Sequence, residues 1–165
     1  MVEVRRLTAQ DDLDAVACLY AQSWKASYRG LLPDAFLNRL TPDRWSAMLH
    51  ADPGASLGLF VDGALTGTAM VGFARQAGRE GYGEIISIYL RPGFAGRGYG
   101  RALMEAALSR LSEEGCERAC LWTLEGNVRA EGFYARMGFA PSGNTQQENF
   151  GGQSARLYEY TRDLP

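Results

Sequence analysis

Glu84-Ile85-Ile86-Ser87-Ile88-Tyr89-Leu90 runs straight into Arg91-Pro92-Gly93-Phe94-Ala95-Gly96-Arg97-Gly98-Tyr99-Gly100-Arg101. The first stretch, rich in isoleucine and bounded by a polar loop, reads as a buried β-strand. Arg91-Pro92 ends it, because proline has no N–H to give to a ladder. A helix follows from about Tyr99 to Glu114, with Leu103, Ala107 and Leu111 spaced by four and turned towards a sheet, and Gly115 stops it. Between strand and helix lie four glycines, and three arginines but no acid fall between positions 91 and 101. Glycines at such a junction let the backbone approach a ligand, and the helix start offers unpaired N–H groups and a positive dipole end. The chemistry favours an anion, foremost phosphate or pyrophosphate. The alternative is a flexible turn that binds nothing.

Two common phosphate loops fail on position. A P-loop built on Gly93 and Gly98 needs Lys-Ser/Thr next, and Tyr99-Gly100 stands there. A dinucleotide loop begun at Gly96 needs glycine where Arg101 stands.

Towards the C-terminus, Arg118–Leu124 alternates as a strand, Asn127 caps a helix to Met137, and Gly138 is its C′ residue. Phe139 leads into a late strand and Arg156–Arg162 forms a terminal one, while the polar, glycine-bearing stretch 144–153 reads as a mobile segment. Towards the N-terminus, Leu57–Val61 and Ala64–Ala74 flank Asp62-Gly63 as a hairpin, followed by a polar loop over 76–83. Val2–Thr8 suits a first strand. Asp11 and Asp12 open a helix carrying Leu13, Val16, Ala17, Tyr20, Trp24 and Tyr28, which Gly30 breaks. Pro33 and Thr41-Pro42 begin two short helices. The order predicts one α/β domain over residues 1–165, a sheet with helices on its faces.

The chain has 165 residues, 46% of them hydrophobic, with 17 basic against 19 acidic side chains. That is enough for a core without staples. The slight negative charge argues against nonspecific nucleic-acid binding. No apolar run reaches the roughly 18 residues of a membrane span, and no apolar leader segment follows Met1–Arg6. Cys18, Cys116 and Cys120 form no CxxC and, with His50 the only histidine, no zinc pattern. All three thiols sit in apolar patterns and read as buried and inert. A reducing cytoplasm is the expected setting, and no metal is expected.

Read together, Ala95-Gly96-Arg97-Gly98-Tyr99-Gly100 and the later series Asn127, Ala130, Phe133-Tyr134 and Gly138-Phe139 resemble the GNAT superfamily of acyl-CoA-dependent N-acetyltransferases. The glycines match that family's Q/R-x-x-G-x-G/A loop; Ala95 stands where Gln or Arg is usual. Trp24-Lys25-Ala26-Ser27-Tyr28-Arg29-Gly30-Leu31-Leu32-Pro33 is similar to one subgroup of small members. The resemblance implies a mixed sheet of about six or seven strands flanked by four or five helices, with splayed central strands forming a coenzyme A cleft. It implies that the backbone of Ile88, Tyr89 and Leu90 pairs with the pantetheine arm, and that the N–H groups of Gly96, Arg97, Gly98, Tyr99, Gly100 and Arg101 hold the pyrophosphate. It also implies that Leu90 N–H polarises the thioester carbonyl, that Asn127 touches the cofactor, and that Tyr134 protonates the departing thiolate. The expected reaction is direct acetyl transfer from acetyl-CoA to an amine on a small molecule or protein. A non-catalytic coenzyme A-binding or regulatory module on the same fold is the alternative. No nucleic acid or membrane is an expected partner, and a homodimer through the C-terminal sheet edge is.

An amine nucleophile must be neutral, although an alkyl ammonium has a pKa near 10, so a base or water must take its proton. Glu84, opening the central strand, is the first candidate base and Glu125 the reserve; a solvated carboxylate is the competing reading of Glu84. Tyr134 competes with a plain core role, as do Trp24 and Tyr28, which border the acceptor site in that family. Tyr89 and Trp122 face either core or cleft. Phe133 and Met137 read as core, and His50 as surface.

Overall fold

In a computed structural model of residues 1–165, seven strands form one sheet in the order β1-β2-β3-β4-β5-β7-β6. They are β1 (Val2–Arg6), β2 (Ser56–Val61), β3 (Ala64–Phe73), β4 (Tyr82–Leu90), β5 (Arg118–Leu124), β6 (Ala140–Phe150) and β7 (Gln153–Asp163). Neighbours are antiparallel except β4 and β5, which are parallel. Parallel strands need a crossover, and the helix α4 (Tyr99–Glu113) supplies it. The other helices are α1 (Leu13–Ser27), α2 (Asp34–Asn38), α3 (Asp43–Ala51) and α5 (Val128–Arg136). None is long and apolar enough to cross a membrane.

Each face of the sheet has its own core. On one side Leu103, Met104, Ala107, Leu108 and Leu111 of α4 pack with Leu59, Val71, Ile85 and Leu121. On the other, Leu13, Val16, Ala17 and Tyr20 of α1 pack with Leu37, Trp45, Leu49 and Met70. Alternation along the strands explains the division: Ile85 faces α4 and Ile86 faces α1. Gly83 lets α4 lie close, since a β-carbon there would stand 2.6 Å from Leu111.

Two features of β4 shape the site. Met70 pairs with Ser87 but Val71 with Ile85, so Ile86 is the extra residue of a β-bulge. As a result Ser87 also turns to the α1 face, where its hydroxyl lies 2.5 Å from Tyr20 OH. Second, β4 and β5 pair only over Tyr82–Glu84 and Arg118–Cys120. Beyond Glu84 and Cys120 the two strands part, and the sheet is split along its one parallel seam.

The expected elements are present, with differences at two places. Residues 144–150, read as mobile, belong to β6, which pairs with β7 in register from Thr145↔Tyr158 to Phe150↔Gln153. Their polarity reflects an edge strand exposed over most of its length, with Pro141 and a register break before Thr145 that discourage further pairing. The second is Cys18, which is exposed rather than buried, because α1 turns positions 13, 16, 17 and 20 inward and position 18 outward; Cys116 and Cys120 are buried.

Candidate active site

The split opens on the α4 side onto the glycine-rich junction. Gly93, Gly96 and Gly98 hold φ of +90°, +79° and +83°, conformations that side chains rarely adopt, and so the chain can wind tightly into α4. Gly98 is the N-cap and has no side chain to bond the helix start, and no acid stands in the first turn. The N–H groups of Gly96, Arg97, Gly98, Tyr99, Gly100 and Arg101 find no partner within the protein; the first helical bond is Ala102 N–H to Gly98 O at 3.1 Å. Six free amides stand at the helix start with Arg97 and Arg101 beside them, a grouping whose donors and positive charge suit an anion. Gly100 lies under the Phe133 ring, 3.4 Å from a β-carbon placed there, so α5 walls the other side.

Hydrogen bonding directs the edge of β4. Arg91 N–H bonds Thr66 O at 2.7 Å, and the Gly67↔Leu90 register continues to Ala69↔Ile88 without a shift. Antiparallel alternation therefore turns the main-chain groups of Tyr89 towards β3 and those of Ile88 and Leu90 into the split. The expectation for Tyr89 is corrected on this point: its backbone is spent on the β3 ladder and only its side chain is available. Leu90 O is taken up by Ser23 Oγ of α1 at 2.8 Å, and Ser23 is buried. That contact ties the end of β4 to α1.

Asn127 caps α5, its Oδ1 accepting from Ala130 N–H at 3.3 Å, and Gly138 ends it at φ +86°. Tyr134, one helix turn on from Ala130, lies among Phe133, Phe139 and Tyr160 with ring centres 5.7 to 6.3 Å away. Its hydroxyl has no hydrogen-bond partner in the protein. Burial, with a smaller contribution from nearby Tyr28, pushes the phenol well above its ordinary value of 10.0, so it stays protonated. Phe133 packs on the α4-side core and Met137 lies within it, as expected.

On the α1 side of the split is an aromatic cavity of about 160 Å³. Trp24, Tyr28, Tyr89, Trp122 and Phe150 line it. Tyr28 OH lies 3.3 Å from Tyr89 OH, and burial, more than this contact, raises Tyr89. Trp24 and Tyr28 pack against the α1-side core, as expected, and also line the cavity, which Tyr89 and Trp122 border too.

Glu84 lies at the vertex of the split and lines the same cavity, with its side chain 3% exposed. It is not solvated at a strand end. Arg75 N–H, Nε and Nη2 donate to its two oxygens at 3.3, 3.2 and 2.7 Å. A carboxylate offers about four lone-pair sites, so about one remains. A second buried carboxylate, Glu159, stands behind it and accepts from Arg79, from Ser142 at 2.6 Å and from Asn144 at 3.1 Å. Between them the Cys120 thiol is pushed up to about 12, by burial first and then by Glu84 and Glu159. Glu125, the reserve base, is exposed, bonds Tyr158 OH at 2.9 Å and does not line the cavity. His50 is exposed on α3, 3.2 Å from Asp14.

Sequence reasoning missed Arg75, Arg79 and Glu159. The two arginines sit in the β3–β4 loop and meet carboxylates on β4 and β7. No local pattern marks a bond that spans 80 residues, as Arg79–Glu159 does.

The sheet is thus split at its one parallel pair, with a glycine-rich helix start beside the split. The sequence model of the acetyltransferase (GNAT) family matches residues 15–139. An uncharacterized N-acetyltransferase of Archaeoglobus fulgidus is 32% identical over 137 residues, covering 81% of this chain and 90% of that protein. The uncharacterized N-acetyltransferase YuaI of Bacillus subtilis is 30% identical over 132 residues, covering 77% and 74%. The solved structure of yncA from Salmonella typhimurium, with its cofactor acetyl-CoA, shares the fold at TM-score 0.75 and 19% identity over 99% of this chain and 94% of that one. The chain belongs to the GNAT family of acetyltransferases and is an acyltransferase.

Proposed function

We propose that the chain transfers acetyl from acetyl-CoA directly to a primary amine while both are bound. One observation carries this reading: the split between β4 and β5 is bordered by free amides on the α4 side and backed by an aromatic, carboxylate-bearing cavity on the α1 side. A donor laid along one side and an acceptor entering from the other meet in the gap.

The roles follow from the placements. The main chain of Ile88 pairs with the extended, amide-bearing pantetheine arm as an added strand pairs with a sheet edge, Leu90 O being already held by Ser23. The amides of Gly96–Arg101 bind the pyrophosphate without requiring a lysine. Asn127 holds the start of α5 beside the donor. Leu90 N–H, on a residue whose carbonyl is held by Ser23, stabilises charge on the thioester oxygen. Glu84, through its remaining lone pair or a water, takes the proton from the incoming amine. Tyr134, a phenol that is protonated at neutral pH, gives its proton to the departing sulfur. The three unpaired thiols fit a reducing cytoplasm.

Tyr134→Phe tests the reading. The expected result is a fall in turnover of about 100-fold, the size of a lost general acid, with acetyl-CoA affinity by calorimetry nearly unchanged. Full turnover in the variant removes Tyr134 from the chemistry. Absence of acetyl-CoA binding by the unmodified protein refutes the whole reading.

A further inference from the structure

The cavity on the α1 side carries more information than its position. Its walls are aromatic, and three charged side chains line it: Glu84, Glu148 and Arg75. Their formal sum is −1. Arg75 is largely offset by Glu84, although its Nη1 has no partner and its side chain is mostly exposed. Its main-chain N–H, Nε and Nη2 are all given to Glu84, and Glu148 also acts on it. An anionic group entering here meets two carboxylates and one guanidinium already largely offset. A cation meets the aromatic side chains of Tyr28, Tyr89, Trp122 and Phe150, and of Trp24 whose ring already carries Arg44 at 5.6 Å, together with the acids Glu84 and Glu148. Glu84 is the buried end, at the vertex of the split, and Glu148 is the exposed end, on β6.

Size narrows the class. A volume of about 160 Å³ holds about five water volumes at roughly 30 Å³ each. It therefore takes a small head group rather than a folded protein surface.

We propose that the acceptor is a small cationic alkyl- or arylalkylamine without a carboxylate, selected against the corresponding amino acid by the Glu84–Glu148 charge balance and the aromatic walls. This rests on the acetyl-transfer reading above. The amine enters as its ammonium, is held between the aromatic faces, loses one proton to Glu84 or water, and attacks the thioester carbonyl. The new bond is nitrogen to acyl carbon and the broken bond is acyl carbon to sulfur; the thiolate takes the Tyr134 proton, and the second proton, released by the acylated nitrogen, restores the Tyr134 phenol.

The test compares matched acceptors by thiol release from saturating acetyl-CoA: 2-phenylethylamine against phenylalanine, and agmatine against arginine, with phenylalaninamide separating charge from bulk. The expected result is a kcat/KM at least about tenfold higher for each amine than for its amino acid, since the two differ only in a carboxylate that the acids of the cavity repel. Phenylalaninamide is expected to side with the amine. Glu148→Lys changes the formal sum to +1 and is expected to erase the preference. Equal or better use of the amino acids, a phenylalaninamide as poor as phenylalanine, or a preference that survives Glu148→Lys each overturn the proposal. Acetyl-CoA affinity is measured on the same samples. If acetyl-CoA binds and neither amine is acetylated, the acceptor class is wrong while the donor site stands; if acetyl-CoA does not bind, the transfer reading itself fails and takes this proposal with it.

Discussion

Arg79→Ala strips the main partner from a carboxylate whose side chain is 1% exposed. Glu159 then keeps only the bonds from Ser142 at 2.6 Å and Asn144 at 3.1 Å. Breaking a buried ion pair from one side costs about 3–5 kcal/mol, because the remaining charge is left uncompensated. The two surviving bonds place the expectation at the lower end, about 3 kcal/mol. For a chain of this size that corresponds to a fall in Tm of about 6–12 °C. The pH dependence follows from the same group. In the native protein burial pushes Glu159 up, but the bonds from Arg79, Ser142 and Asn144 together hold it below its ordinary 4.5. Its contribution is therefore present above 4.5 and is lost as pH falls through the depressed value. Without Arg79, burial raises Glu159 instead, and the carboxyl escapes its penalty by taking a proton. The deficit of the variant is thus largest at neutral pH and shrinks as the solution is acidified. Urea unfolding followed by tryptophan fluorescence, at neutral pH and near pH 5, measures both effects. The double variant Arg79→Ala/Glu159→Gln is expected to regain much of the loss. A deficit under about 1 kcal/mol, a deficit that does not change with pH, or a double variant no more stable than the single one refutes the reasoning.

Two further outcomes bear on the site. Gly98→Ala forces a side chain into φ +83° with no neighbouring atom within 4 Å, so the cost is backbone strain alone, about 1–2 kcal/mol. Because the strain sits among the amides proposed to bind the pyrophosphate, acetyl-CoA affinity is expected to fall as well; an unchanged Kd by calorimetry removes the loop from donor binding. Iodoacetamide on the native protein is expected to label Cys18 alone. Cys116 and Cys120 are buried, and Cys120 is raised to about 12 by burial and the neighbouring carboxylates. More than one adduct by intact mass before denaturant is added contradicts that placement.

Local signals made the central motif legible. The β4–loop–α4 unit, the Asn127 cap and the Gly138 stop each depend on residues a few positions apart, and the chain states them directly. The same signals say nothing about polar edge strands. Thr145–Asn149 lacks apolar alternation because little of it is covered, so only its register with β7 reveals a strand. Burial misled in the same way at Cys18, where an apolar neighbourhood in the chain became the outer face of a helix.

By itself the sequence determined the element order, the strained glycines before α4, the capped α5 and the family likeness they carry, since all of these rest on short-range backbone preference. Tertiary structure alone decided where β4 leaves β5, which main-chain groups of β4 face the gap, and that Arg75 and Arg79 bind Glu84 and Glu159. Those outcomes depend on strand register, a bulge at Ile86 and the desolvation of charges brought together from distant parts of the chain, and none of these exists until the sheet has closed around its core.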